Sequence, residues 1–136
     1  MNILDELTNY IADKMSLEPG ENLFYNSMPD EPDNCVLLQQ EAYSTGVPVQ
    51  IDATCYHVKV IVRNVSNSDA YDVAAMVYRW LYTDKEDTAD ADGLVKLSDT
   101  LTVATVPLTE PIWYKTDEKG RKYFVFKARV FSHRII

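Results

Sequence analysis

The sequence predicts an α+β fold, a mainly antiparallel sheet with two helices packed on one face. Two segments place apolar residues at helical spacings of three and four, and several short segments alternate as strands do. A length of 136 residues with 46% hydrophobic side chains suits one hydrophobic core. We therefore expect residues 1–136 to form a single domain in which the strands pack against the two helices.

The first predicted helix runs from Asn2 to Met15. Its apolar side chains recur every three or four residues, with acidic and amide side chains between them. Pro19 and Gly20 end it, because neither residue favours continuation of a helix. Short apolar runs at 23–25 and 35–39 predict two strands, and the polar segment 41–48 predicts an exposed loop.

The clearest predicted strand covers residues 55–63, where side chains of opposite character alternate. One face carries Tyr56, Val58, Val60 and Val62, and the other carries His57, Lys59, Ile61 and Arg63. This alternation is typical of a strand with one face in the core and one face towards solvent.

A second helix is predicted from Asp69 to Tyr82. Ser66 and its neighbours offer side-chain oxygens that can cap the first turn. The apolar stripe consists of Ala70, Val73, Ala74, Val77 and Leu81. Tyr71, Tyr78 and Trp80 widen the hydrophobic surface beyond one narrow seam, so we expect part of it to face a neighbouring molecule.

The rest of the chain predicts strands and a terminal hairpin. Residues 83–92 form the most acidic stretch and predict a mobile loop, although a weakly held divalent cation is an alternative. Segments 94–97 and 101–106 have strand-like alternation. Segments 112–115 and 121–131 flank a turn in which Gly120 can take the left-handed conformation.

The charge and the short apolar runs of the chain argue against nucleic acid and membrane as partners. Twenty-one acidic against 13 basic residues give a net charge of -8, which repels nucleic-acid phosphates. No apolar run approaches the roughly 18 residues that span a membrane, and the amino terminus does not resemble a secretion signal. We expect a protein that remains in the cytoplasm where it is made and binds neither nucleic acid nor membrane.

Residues that usually carry catalysis or bind metals are few and scattered. His57 and His133 are far apart, and no zinc-ligand spacing such as Cys-x-x-Cys occurs. The four glycines form no phosphate-binding loop. Cys35 and Cys55 lie in strand-like surroundings that are typical of buried, reduced thiols. The sequence therefore predicts no catalytic site, no cofactor and no metal.

Seven of the 13 basic residues fall in the last 22 residues, whereas the middle of the chain is acidic. Exposed strands often carry lysine, which deters edge pairing, so an ordinary solvated hairpin is one interpretation. The other is a ring in which the basic hairpin of one subunit meets the acidic loop of the next. On that interpretation the helix 69–82 and the hairpin 115–129 supply subunit contacts. The predicted interface residues are Tyr71, Tyr78, Trp80, Trp113, Lys115, Arg121, Lys127 and Arg129.

Four segments, taken in order, resemble one protein family. The longest is VPVQIDATCYHVKVIVR at 47–63. The others are LFYNSMPD at 23–30 with Pro32 and Asp33 after it, LSDTLTV at 97–103, and DEKGR at 117–121 before YFVF. Together they resemble the minor capsid protein family of siphophages and prophages of Gram-positive bacteria, over nearly the whole chain. These segments form a structural pattern and include no catalytic signature.

The resemblance implies a non-enzymatic virion component similar to the tail terminators of long-tailed phages. In that group a small α+β subunit forms a ring, typically hexameric, that caps the finished tail tube and presents a surface to the head connector. The expected partners are further copies of the chain, the tail tube protein and head connector proteins, and the expected location is the head–tail junction of the virion. No functional residue is transferred from the family.

Two other functions stay open at this point. A head-side stopper or capsid decoration protein would have the same size and fold class, but would bind the portal or the capsid shell. A small prophage-carried enzyme or inhibitor would need a pocket with convergent titratable groups, and the sequence offers no such cluster.

Overall fold

The computed structural model describes residues 3–41, 47–50, 53–81, 95–98 and 101–134. The helices are α1 (Ile3–Met15) and α2 (Asn67–Leu81). The strands are β1 (Leu23–Tyr25), β2 (Cys35–Gln40), β3 (Val47–Gln50), β4 (Ala53–Asn64), β5 (Val95–Ser98), β6 (Leu101–Pro107), β7 (Ile112–Thr116) and β8 (Lys122–Arg134). The predicted α+β class is confirmed, and the structure adds one strand, β3, that the sequence did not predict. The acidic stretch 83–92 lies outside the described residues.

Two long central strands organise the sheet. β4 and β8 pair antiparallel along twelve residues, from Ala53 opposite His133 to Asn64 opposite Lys122. Strands β2 and β3 pair with the far side of β4, and β6 and β7 pair with the far side of β8. Among the described strands only β1 and β2 pair in parallel, so the sheet is mainly antiparallel, as predicted.

Both helices lie on one face of the sheet. The first turn of α2 is capped by Ser66, whose hydroxyl accepts a hydrogen bond of 3.3 Å from the backbone N–H of Asp69. The buried stripe of α2 and the buried side of α1 join the same cluster as the inward residues of the strands. The packing of two amphipathic helices on the central strands therefore closes the core.

The core follows the predicted alternation. On β4 the valines at 58, 60 and 62 are each at most 1% exposed, and on β8 the even-numbered residues 124–130 are all buried. Tyr78 of α2 meets Phe126 edge to face, with ring centroids 5.4 Å apart. Even-numbered residues of both strands therefore face the helices, and odd-numbered residues form what we call the open face.

Two local expectations need correction. The predicted loop 41–48 ends early, because Val47 and Pro48 belong to β3, where Pro48 lies opposite Thr54. Proline fits there because β3 is an edge strand among the described residues, so one side of it needs no ladder donor. Residues 42–46 lie outside the described residues. Both cysteines are free, as expected, but only Cys35 is buried, and Cys55 is half-buried.

Candidate subunit interface

Strand β7 is a hydrophobic edge. Among the described strands it pairs only with β8, and all five of its residues are exposed. Ile112, Trp113 and Tyr114 are 55%, 54% and 51% exposed. We call the segment Ile112–Lys115 the β7 edge. Contiguous apolar side chains on an unprotected edge strand are typical of a surface that another protein covers.

Trp113 continues an aromatic row towards α2. It lies opposite Phe124 of β8, so both residues belong to the helix side of the sheet. Phe124 also meets the ring of Tyr71 edge to face, with centroids 5.7 Å apart. Tyr71 is 49% exposed, and Trp113 is similarly exposed. The structure thus brings these two predicted interface residues to either side of one buried phenylalanine.

Lys115 lies on the open face, where it stacks on aromatic rings. Its Nζ is 4.9 Å from the ring centroid of Tyr123 and 5.6 Å from that of Tyr114. Lys59 approaches Tyr114 in the same way, at 5.7 Å. These cation–π contacts hold the aromatic and basic side chains together while leaving Lys115 and Tyr114 exposed.

Lys127 and Arg129 continue the open face along β8, although they differ in their surroundings. The Nζ of Lys127 is 3.4 Å from a carboxylate oxygen of Glu41, so part of its charge is satisfied within the chain. Arg129 is exposed and lies opposite His57 of β4. Arg129 therefore has the more accessible charge of the two.

Arg121 occupies a different kind of site, because it is only 4% exposed. Its Nε donates to Asp117 at 2.8 Å, and its Nη2 donates to the carboxylate of Asp30 at 2.9 Å. Its Nη1 donates to the backbone carbonyl of Asp30, and Lys119 pairs with the same aspartate. The predicted interface residue Arg121 instead fastens the hairpin turn to the loop 29–33 of its own chain.

Two carboxylates of this cluster have shifted acidities. Loss of hydration acts to raise the pKa of Asp117, but hydrogen bonds from the backbone and guanidinium of Arg121 and from the Tyr123 hydroxyl outweigh it. The pKa of Asp117 therefore lies well below its ordinary value. The pKa of Asp30 is lowered too, chiefly by a hydrogen bond from Lys119 and next by one from Arg121. Both aspartates thus stabilise the folded chain as anions.

Arg63 is the buried residue that sequence reasoning missed. It lies on the open face as predicted, yet it is only 3% exposed. Its guanidinium donates to the carbonyls of Pro29 at 2.8 Å, Pro32 at 2.7 Å, Asp30 at 3.2 Å and Asp33 at 3.3 Å. A signal was present in the sequence, because a compact loop with two prolines leaves backbone carbonyls in need of a donor.

Tyr78 and Trp80 are placed within the helix layer. Tyr78 is half-buried against Phe126, and Trp80 is half-buried with its ring centroid 5.3 Å from the Nζ of Lys14. The hydroxyl of Tyr10 donates to the carbonyl of Trp80 at 3.3 Å, which joins the two helices. Both aromatic side chains therefore contribute largely to internal packing, unlike Trp113 and Tyr71.

Parts of three of the four segments that carry the family resemblance meet at this end of the sheet, near the turn between β7 and β8. The loop 29–33 belongs to one of them and the turn 117–121 to another, and the two arginines join them. Within the described ranges no group of three or more His, Cys, Asp or Glu residues is arranged to hold a metal ion. No helix in the described part of the chain is long and apolar enough to cross a membrane.

Comparison with known proteins gives one family. No curated protein matches the chain. A family model described as bacteriophage tail terminator protein matches residues 10–130. This range includes α1 from Tyr10 onward, α2, the buried Arg63 and Arg121, and the β7 edge. The match confirms the tail-terminator likeness that the sequence segments predicted. The chain belongs to the bacteriophage tail terminator protein family.

Proposed function

We propose that residues 1–136 form a single non-enzymatic domain that assembles with further copies of itself into a ring at the end of the phage tail tube. The ring would be hexameric, as is typical of the group that the sequence resembles. It would stop addition of tube subunits and present a surface to the head connector. The family match over residues 10–130 is the observation that carries this proposal.

The surface of the described chain supports self-assembly. The β7 edge places three large apolar side chains beside exposed basic ones, and aromatic and basic anchors of this kind are enriched in protein interfaces. A net charge of -8 means that copies meet only where opposite charges are arranged face to face. The exposed Lys115 and Arg129 provide positive charge of this kind within an acidic protein.

The first test is the molar mass of the purified protein by light scattering over a wide range of concentration. A mass that rises to one fixed small multiple of 15.5 kDa supports a closed ring. Open-ended growth would contradict it. A protein that stays monomeric would confine ring formation to the tail tube, and the phage test below then decides the function.

The second test uses a phage that carries the gene. If the chain terminates the tail, its removal leaves heads without joined tails and tubes of irregular length, and tagged protein labels the neck of intact virions. Label over the capsid shell, with tails of normal length in the deletion, would identify a decoration protein instead. A deletion of an unrelated, dispensable gene of the same phage provides the matched control.

A further inference from the structure

Strands β1 and β7 form opposite edges of the sheet, and rows of paired residues run across the strands from one edge to the other. At the end of the sheet near the hairpin turn, the strand order is β1, β2, β4, β8, β7. The pairing registers place one residue of each strand in a single row, namely Leu23, Val36, Val62, Phe124 and Trp113. Four strand spacings separate the ends of this row by roughly 19 Å. Trp113 and Leu23 therefore mark the two edges at one level of the sheet.

The β1 side of this row carries a groove. It has a volume of about 400 Å³ and is lined chiefly by Pro19, Leu23, Phe24, Tyr25, Met28 and Pro29. Clefts of this size hold drug-sized apolar ligands, which are larger than one indole ring. Tyr25 at its rim is 42% exposed. We call this feature the β1 groove. Its lining is mainly apolar, so it can accept the exposed apolar side chains of the β7 edge.

The charges of the two edges are opposite. Residues 16–25, which lead into β1 and form it, contain two acidic residues and no basic residue, whereas Lys115 is the one charged residue of β7. Glu18 and Glu21 are exposed in the turn that enters β1. Lys115 lies in the row of Tyr123, Arg63 and Cys35, one step along the sheet from the row of Leu23. Lys115 is therefore level with the end of that acidic turn.

The strand directions also fit a repeated arrangement. β7 runs antiparallel to β8, β8 to β4, and β4 to β2, whereas β1 runs parallel to β2. A second copy placed beside the first in the same orientation would therefore bring its β1 antiparallel to β7. A contact between two different surfaces of the same chain is heterologous, and repetition of such a contact generates a ring when the rotation closes.

We infer that copies of this chain associate head to tail, with the β7 edge of one copy seated against the β1 groove of the next. Trp113 contacts the groove, and Lys115 faces Glu18 and Glu21. The inference rests on the proposed self-assembly and specifies the two surfaces that meet. Trp113→Ala is expected to weaken association about 30-fold or more, as loss of a central aromatic anchor does. Met76→Ala, which trims a side chain of similar exposure on α2, leaves association unchanged.

Cross-linking distinguishes this contact from other arrangements. Thr116→Cys and Glu21→Cys are made separately in chains that carry Cys55→Ser, with the buried Cys35 retained. The two proteins are mixed at high concentration and treated with a short bis-maleimide. The expected product is a mixed dimer in clear excess over dimers of either variant alone. A chain with both substitutions should give a ladder that stops at the number of subunits in the ring.

Each other outcome overturns the inference. Efficient self-cross-linking of Thr116→Cys would mean that two β7 edges meet about a two-fold axis. Equal yields with Arg79→Cys in place of Thr116→Cys, or no mixed product, would mean that the β7 edge does not meet the β1 groove. Wild-type light scattering separates this failure from failure of the proposed function, because a ring of fixed mass without the mixed product leaves the ring intact and rejects only these surfaces.

Discussion

Strands β7 and β8 flank the same turn and have similar apolar segments, yet their environments are opposite. Ile112, Trp113 and Tyr114 on β7 are all more than half exposed. Phe124, Val125 and Phe126 on β8 are 7%, 8% and 1% exposed. β8 has strands on both sides and helices on one face, whereas β7 has only β8 beside it among the described strands. Apolar residues on β8 therefore stabilise the fold, and those on β7 are available for assembly.

Phe126→Ala tests the β8 side of this comparison and should have the largest effect on folding. It removes a fully buried ring together with its edge-to-face contact with Tyr78, and such changes cost about 3–5 kcal/mol. The free energy of unfolding is measured by urea denaturation monitored by circular dichroism. A loss below about 1 kcal/mol would contradict the assignment of Phe126 to the core.

Arg63→Met tests whether the loop 29–33 is held to the sheet by a buried guanidinium. The substitution keeps an unbranched side chain but removes the guanidinium, so several carbonyls lose their donor, and we expect a loss of about 2–3 kcal/mol. The same denaturation experiment checks it. Arg79→Met on the exposed side of α2 is the matched control and should change stability little. Equal effects of the two variants would mean that the hydrogen bonds from Arg63 do not hold the loop 29–33 to the sheet.

The pH dependence of stability tests the carboxylates that hold the turn between β7 and β8. The folded-state pKa of Asp117 is below that of an unfolded chain, which is about 3.9. Its contribution is therefore present above that value and is lost as the pH falls through the folded-state pKa. Thermal unfolding between pH 6 and pH 2 should show a steeper loss for wild type than for Asp117→Asn, with the difference below about pH 4.

Glu118→Gln is the control for that series, because Glu118 is the exposed neighbour of Asp117 in the same turn. It should retain the wild-type dependence on pH. If Asp117→Asn lost stability as steeply in acid as wild type, the hydrogen bonds from Arg121 and Tyr123 would not be the source of the effect.

Tyr71→Ala probes a residue that belongs to both environments. Its ring is half exposed and also meets Phe124 edge to face, so we expect a loss of about 1 kcal/mol from the aromatic contact and partial burial. Tyr71→Phe retains the ring and should preserve stability. A loss as large as that of Phe126→Ala would place Tyr71 in the core and remove it from the candidate interface.

Trp113→Ala should have the smallest effect on folding, within about 0.5 kcal/mol, because the side chain is 54% exposed on an edge strand. The measurement is the same denaturation experiment at a concentration where the protein is monomeric. A large loss of stability would mean that the indole packs within its own chain, and the contrast between β7 and β8 would disappear.

Local patterns were sufficient for much of the fold. Both helices lie within two residues of their predicted bounds, because apolar spacing and the cap at Ser66 are local signals. The alternation on β4 identified its buried valines correctly, and Gly120 has the positive φ of 78° that the predicted turn requires. The likeness to tail terminators followed from the order of several segments, and the family match confirmed it over residues 10–130.

The candidate interface could be predicted only in part. The sequence selected Trp113 and Lys115, which are exposed, together with Tyr78 and Trp80, which pack within the helix layer. Composition treats these aromatics alike, since each is a large apolar side chain with a polar atom. Their exposure depends on which helix or strand covers them, and that is decided by contacts between residues far apart in the chain.

The sequence by itself determined the α+β class, the two amphipathic helices and the side of β4 that faces the core, because these follow from periodicity along the chain. The tertiary structure decided that β7 is an edge and that Arg63 and Arg121 are buried. An edge is defined by the absence of a neighbour among the described strands, and the arginines are buried by a loop from roughly 30 to 90 positions away along the chain. Such long-range pairing leaves no periodic trace in the residues themselves.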